Sequence, residues 1–561
     1  MDTLHTLESL VRDALRTFPD LMDVPITFEH PADLLHGDFS TNVAMVYAKK
    51  IGKKPRDFAE YIVEKIQQRK PELLERVVIA GPGFVNFYLS SLYFKNTIGD
   101  ILEKKETYGE NSLRKGVRVL IEYTDPNPFK EFHIGHLMPN IIGESIGALL
   151  EATGAKVIRA SYQGDIGPHV AKALWGYRAL SGDSEVRWNG AYAHGATAYE
   201  KDPKVKEEID ILNKKLYEKS DPELMELYEE GKKRSLLAFE KMYVRLGTSF
   251  DHYFFESEVA DDGISIVREF LKKGVFEESD GAVVFRGDKY GLHTRVFLTA
   301  RGLPTYEAKE LGLTKKKFDR ENPDLSIVIT ANEQDEYFKV ILQALKEIYP
   351  YIAEKTVHIS HGMMRLSSGK MGSRTGNVIR AASLLDAIEK LVHEKISSNT
   401  FSATEKSEIK SLVAVGAVKY AILRQAIGGN IVYDAMKSIS FEGDSGPYLQ
   451  YTIIRMRSLL EKGKSEEILP SPLETKDISD VERLLVRFPE VVLKAGSELA
   501  PHRIVSYLIQ LAGAFNSYYA AHRIVDKEDA FSSHRLALTQ ASEIVLTRGL
   551  RILAIPIPSK M

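Results

Sequence analysis

The chain has 561 residues, too many for one hydrophobic core, so about two to four domains are expected. Hydrophobic residues make up 44% and charged residues 27%, an ordinary globular balance, and no apolar run is long enough to span a bilayer. There is no cysteine and the net charge is −3: disulfides and cysteine-ligated zinc are excluded, a reducing cytoplasm fits, and any nucleic-acid binding must use local basic surface.

The N-terminal sequence MDTLHTLESLVRDALRTFPD has the spacing of an amphipathic helix and lacks the basic start and apolar block of a secretion signal. Residues 1–112 read as an α+β unit, with helical stretches over 4–18 and 55–68 and strand-like runs over 24–28 and 77–89. The segment HGDFSTNVAMVYAKKIGKKPRDFAEYIVEKI is predicted to be helical, and its Lys49, Lys50, Lys53, Lys54 and Arg56 form either a nucleic-acid contact or a solvated helix end.

A second unit, 113–400, alternates strand-like runs (VRVLIEYT, AKVIRASY, LSIVITAN, KTVHIS) with helical stretches. That order predicts a mostly parallel, Rossmann-like α/β sheet, with ligands at the carboxyl ends of the strands. Residues from 183 to about 245, rich in Lys, Glu and Tyr, read as a helical insertion. From about Ser402 strands are expected to disappear, which makes 401–561 an all-helical domain whose last helix is stopped by the prolines of IPIPSKM.

The first strand leads into TDPNPFKEFHIGHLMPN. His133 and His136, three apart at a predicted helix start, fall on one face, where unpaired N–H groups and the helix dipole favour phosphates. Gly135 between them leaves the backbone open to a flat base or ribose. No Walker-type loop or GxGxxG turn is present. A second basic loop, SGKMGSRTGN, carries Lys370, Met371, Ser373 and Arg374. Together the two loops suit attack of an ionised carboxylate on the α-phosphate of ATP. Such a reaction needs positive charge, N–H donors and alignment rather than a general base. His133, His136, Lys130 and Lys370 fit that work, and no protein metal site is read from the sequence. Glu122, Asp125 and Asn127 lie at the same strand end. Tyr306 and Glu310 lie four apart on a predicted helix, and Gln334 follows another strand. Carboxylates and a tyrosine gathered at one sheet edge suit a guanidinium, which is always charged and offers a planar fork. Each acid taken alone reads equally as solvated or paired with a nearby cation.

Over essentially its whole length the chain resembles the class I aminoacyl-tRNA synthetases, and among them the arginyl-tRNA synthetases. The HIGH signature stands at His133 to His136, and Lys370-Met371-Gly372-Ser373 is a degenerate KMSK. The runs HGDFSTNVA, VVIAGPGFVNFYLS, NGAYAHGATAYE, LPTYEAKELG, SISFEGDSGPYLQYTIIRMRS and VLTRGLRILAIPIPSKM look arginyl-specific. The resemblance implies that the α/β domain activates L-arginine with ATP and Mg2+ to arginyl-adenylate and pyrophosphate, then transfers arginine to the 3'-terminal ribose of tRNA(Arg). It implies that Glu122 and Glu310 hold the guanidinium with Tyr306 beside it, and that Asn127 and Gln334 hold the α-amino end. His133, His136 and Lys370 would bind phosphates. Gly135, Met371, Ser373 and Arg374 would line the ATP site, and Glu333 would lie near the ribose or adenosine. The first domain would touch the outer corner of the tRNA. The helical domain would read the anticodon, with Tyr448, Tyr451, Tyr518, Tyr519 and Met561 as candidate contacts, core packing being the alternative for each tyrosine. A cytoplasmic monomer that needs tRNA bound before activating arginine is the family expectation.

Four departures stand out. HIGH is followed by Leu-Met-Pro-Asn, where Met138 loses a charge, and position 310 is Glu where Asp is expected. Ser373 replaces the second lysine of KMSK, with Lys130 the family's substitute charge and Arg374 a second candidate. Ala331 stands where glycine is common. Two rival readings are a synthetase for cysteine and a catalytically silent RNA-binding paralogue.

Overall fold

The computed structural model describes residues 3–31, 33, 36–69, 71–367, 379–395 and 401–561. The chain divides into two units, 1–108 with 452–490 and 507–548, and 109–451 with 491–506 and 549–561.

In the first unit, strands β1 (Phe39–Thr41), β2 (Leu74–Ala80) and β3 (Phe84–Leu89) form an antiparallel sheet in the order β1-β3-β2. The helices Thr3–Leu15 and Pro55–Gln68 bury Leu7, Val11, Phe58 and Ile62 with Val85 and Phe87 in one core. Three expectations change here. The run 77–89 is two strands of a hairpin, because Gly81 and Gly83 take positive φ and turn the chain. The segment expected to be one helix opens with β1, and its first helical piece ends at Gly52 (φ 66°), before Pro55 starts the next helix. Residues 24–28 form no strand; beyond them there is an isolated bridge between Glu29 and Ser40. Lys49, Lys50, Lys53, Lys54 and Arg56 are all exposed.

The second unit is built on β4 (Arg118–Glu122), β5 (Lys156–Gln163), β6 (His252–Phe255), β10 (Leu325–Ala331) and β11 (Thr356–His361). They pair in parallel throughout, in the order β11-β10-β4-β5-β6. Four of the five were legible as apolar runs; β6, which is short and aromatic, was not. Between β6 and β10 lies an antiparallel sheet that also escaped the sequence reading, β7 (Glu277–Ser279), β8 (Ala282–Phe285) and β9 (Arg295–Leu298). Helices Glu256–Lys272 and Tyr306–Glu321 approach so closely that a Cβ on Gly263 or Gly312 would overlap the facing backbone.

The insertion is three helices, Ser184–Lys201, Pro203–Glu218 and Pro222–Leu246. Asp183, Asp202 and Asp221 cap their N-termini, and Gly247 (φ 69°) ends the last. Residues 401–561 hold long helices such as Ala403–Leu423 and Gly446–Ser465, but the expectation of no strand there fails. β13 (Ile431–Tyr433) pairs in parallel with β12 (Met364–Leu366). Three residues bordered by Gly-Gly-Asn and Asp give no periodicity to read. Among the described residues no helix is long and apolar enough to cross a membrane.

Candidate active site

The turn after β4 carries left-handed backbone at three non-glycine residues, Thr124 (φ 82°), Asp125 (φ 43°) and Phe129 (φ 69°). Such backbone persists where the surroundings hold it. Here Asn140 Nδ2 donates to Thr124 Oγ1 at 3.0 Å, the Tyr162 N–H donates to Asp125 Oδ1 at 2.8 Å, and the Phe129 N–H donates to Ser235 Oγ at 2.9 Å. The turn delivers His133 as the N-cap of helix Ile134–Ala152.

The two histidines stack with ring centroids 3.7 Å apart. His133 Nδ1 accepts the Gly135 N–H at 3.1 Å, and His136 Nδ1 accepts the His133 N–H at 3.3 Å. Both donors are backbone amides, so each ring carries its proton on Nε2. Burial, with Lys130 nearby, lowers the His133 pKa. Burial, with His133 and Lys130, holds His136 well below the usual imidazole range. The pair therefore offers two neutral Nε2–H donors rather than two cations. Gly135 is exposed, and a Cβ there would come within 2.8 Å of the His133 ring, so glycine is needed for the stacking itself. Lys130 lies 5.1 Å from the Tyr192 ring centre on the insertion; burial first, and Lys172 second, lower its pKa.

Beside this loop is a buried set of acids. Glu122, at the end of β4, accepts from Lys317 Nζ at 3.0 Å. Lys317 lies seven residues, two helical turns, beyond Glu310 on the same helix. Burial opposes the Lys317 charge, but Glu122 and Glu310 outweigh it and its pKa is raised. Glu310 is buried, and burial pushes its pKa up to about 7, with Lys317 opposing and Glu122 adding to the rise. Burial and then Glu122 raise Asp125 well above the usual carboxylate range. Glu256, at the end of β6, pairs with buried Lys309, whose Nζ lies 4.6 Å from the Tyr306 ring centre. Gly164 follows β5, and a Cβ on it would overlap Asn127 Oδ1 and sit 3.2 Å from Glu256 Oε1. Below, Asp165 is fully buried and accepts from Tyr228 at 2.8 Å, Lys232 at 2.7 Å, and the Ser257 N–H and hydroxyl. It ties the insertion to the sheet edge.

The structure thus gathers Glu122, Glu310 and Asp125 in one buried cluster around Lys317, with Asn127 against Gly164 and Glu256. Tyr306 is exposed at the start of the same helix, its carbonyl accepting from Tyr337 Oη at 3.2 Å. Glu333 and Gln334 are exposed in a 3-10 turn, Asn332–Gln334, that follows β10. Ala331 has φ −70° and ψ 151°, ordinary extended backbone that needs no glycine. Met138 is buried beside His361 and Ile422. Lys370, Met371, Ser373 and Arg374 lie outside the described residues. Tyr451 is exposed, its ring edge-on to Phe441, while Tyr448 and Met561 are half-buried. Tyr518 stacks on His522, and Tyr519 lies parallel to Phe515 with the Arg455 guanidinium 5.5 Å from its ring centre.

Sequence reasoning missed Lys309, Lys317 and Glu256. A run of three lysines looks like solvated surface, yet the seven-residue spacing from Glu310 to Lys317 was there to be read.

The catalytic-domain model of the class I tRNA synthetases (R) matches residues 97–434. The arginyl tRNA synthetase N terminal domain model matches 5–89, and the DALR anticodon binding domain model matches 449–561. The arginine–tRNA ligase of Clostridium acetobutylicum is 31% identical over 94% of each chain, and that of Ligilactobacillus salivarius 32% over 96% of each. In fold, the arginyl-tRNA synthetase of Thermus thermophilus superposes with a TM-score of 0.79 at 24% identity, covering 99% of this chain and 100% of that one. A methionyl-tRNA synthetase from Mycobacterium tuberculosis gives 0.51 at 14% identity, covering 78% of this chain and 91% of that one.

Proposed function

The chain belongs to the arginyl family of class I tRNA synthetases, and from that premise we propose how its residues divide the work of charging tRNA with arginine. It is an arginine–tRNA ligase. The arginine carboxylate attacks the α-phosphorus of ATP, the bond to the pyrophosphate oxygen breaks, and arginyl-adenylate forms. A hydroxyl of the terminal ribose of tRNA(Arg) then takes the arginyl group and AMP leaves. The observation that carries the division of labour is the closeness in chain and fold of two unlike groups of side chains, buried acids and an imidazole pair. Glu122 ends β4, and the imidazole pair opens the helix that follows it.

In this reading Glu310 and Glu122 receive the guanidinium with Tyr306 beside it, and Asn127 and Gln334 orient the α-amino end. His133 and His136 donate Nε2–H to phosphate oxygens, Lys130 and Lys370 supply charge, and Gly135, Glu333, Met371, Ser373 and Arg374 border the nucleotide. Preorganised donors aimed at developing charge are the main catalytic device open to such a site. In this reading Mg2+ enters with the substrate as Mg–ATP, bound mainly through its phosphates. We assign residues 1–112 to the tRNA corner, 113–400 to catalysis and 401–561 to the anticodon, with Tyr448, Tyr451 and Met561 as contacts, in a cytoplasmic monomer.

The test is aminoacylation of tRNA with each labelled amino acid in turn. Arginine alone should be attached. Attachment of cysteine, or normal tRNA binding with no adenylate, would replace this reading by one of its two rivals.

A further inference from the structure

Strand β5 pairs Ala160 with Glu122 of β4, and Tyr162 lies two residues further along. The period of a strand puts Tyr162 on the face of the sheet that Glu122 occupies. Its ring packs against Leu120, Ala160, Phe254, Val259 and Leu313, beneath the helices that carry Glu256 and Glu310. Its N–H is committed to Asp125. Its hydroxyl is shielded from solvent and has no hydrogen-bond partner among the described residues. Its electrostatic neighbours are Glu256, Glu310, Tyr337 and Glu122.

An orphaned buried hydroxyl is uncommon and calls for an explanation. Phenylalanine would fill the same space without one. The neighbours narrow the choice. Glu122 is paired with Lys317 and Glu256 with Lys309, whereas Glu310 has no ion pair among the described residues. A guanidinium brings five N–H donors in a fixed fork, more than one carboxylate can satisfy, so a further acceptor is needed within the pocket.

We propose that Tyr162 is a specificity-determining residue of the arginine pocket, its phenolic oxygen accepting a guanidinium N–H of the substrate while its O–H donates to the Glu310 carboxylate. This rests on the reading that arginine is the substrate. It gives the orphaned hydroxyl both partners at the moment the substrate arrives, and it explains why a polar ring stands at this place in an otherwise apolar cluster.

The test is Tyr162→Phe, which removes one oxygen and keeps the shape. Arginine-dependent ATP–pyrophosphate exchange is measured with tRNA present, alongside the thermal midpoint. The KM for arginine should rise about tenfold or more, as for a lost hydrogen bond to a charged group. The kcat and the KM for ATP should stay within about twofold, and the midpoint should not fall. An unchanged arginine KM would overturn the assignment, and so would a fall in kcat alone. The parent chain serves as control. If it exchanges with arginine while the variant's KM is unchanged, the Tyr162 assignment fails alone; if the parent does not respond to arginine, the underlying reading fails with it.

Discussion

Lys317 Nζ donates to Glu122 Oε2 at 3.0 Å, with the two side chains 1% and 2% exposed. An acid expected to meet the substrate's cation already holds a cation of the protein's own. Two carboxylates around a single guanidinium would carry excess negative charge in the absence of substrate; Lys317 offsets one of them. Removing one partner of a buried pair leaves an uncompensated charge. Lys317→Met should therefore cost about 3–5 kcal/mol of stability by chemical denaturation. Unchanged stability would mean that Glu122 finds another partner or that the pair is not formed.

The pocket also sets a pH dependence. Glu310 takes its proton near pH 7 because burial disfavours its charge, and it must be ionised to attract a guanidinium. A raised carboxyl pKa means that the competent form is lost as pH falls through 7 and is complete well above it. The KM for arginine should thus fall about tenfold from pH 6 to pH 8 and then level off, with the KM for ATP not following. Glu310→Gln should raise the arginine KM and flatten its pH profile.

Gly164→Ala tests the packing of the amino-acid end. The added methyl would overlap Asn127 Oδ1 and crowd Glu256 Oε1, and Gly164 does not take positive φ, so the effect is steric. A displacement worth about 1.4 kcal/mol appears as a tenfold rise in arginine KM. An unaffected KM would remove Asn127 from the substrate's surroundings.

The imidazole pair acts through neutral N–H donors. His136→Ala should lower the rate of adenylate formation by about two to three orders of magnitude, the loss typical of a preorganised donor, with tRNA affinity nearly unchanged. Because both histidines titrate below the ordinary range, no imidazole ionisation should shape the rate above pH 7. A rate that fell with the pKa of an imidazolium there would contradict the neutral assignment.

The elements that residues 117–361 announced were those with strong local signals. β4 and β10 are apolar runs with largely buried side chains, β5 and β11 are β-branched runs only partly buried, and the insertion helices each open on an Asp cap. β6, β7–β9 and β13 are three or four residues long, and tertiary pairing rather than local pattern makes them strands. At the site, His133 and His136 could be named because paired imidazoles are unusual in a turn, Glu122 because it stands at a strand end, and Glu310 because it shares a helix face with Tyr306. For Lys317 the seven-residue spacing from Glu310 was the one signal, and Lys309 had none, since only the close approach of two helices turns a lysine-rich stretch into buried wall. The orphaned Tyr162 hydroxyl was likewise invisible: alternation places the ring, but no sequence shows which oxygen lacks a partner.

The selection of a fixed cation by buried acids is tested most directly by citrulline, which keeps arginine's shape and replaces one charged nitrogen with a neutral oxygen. Pyrophosphate exchange by the parent chain should strongly prefer arginine, and Glu310→Gln should narrow that preference by at least tenfold, about 1.4 kcal/mol. Equal preference in parent and variant would show that the Glu310 carboxylate does not recognise the guanidinium.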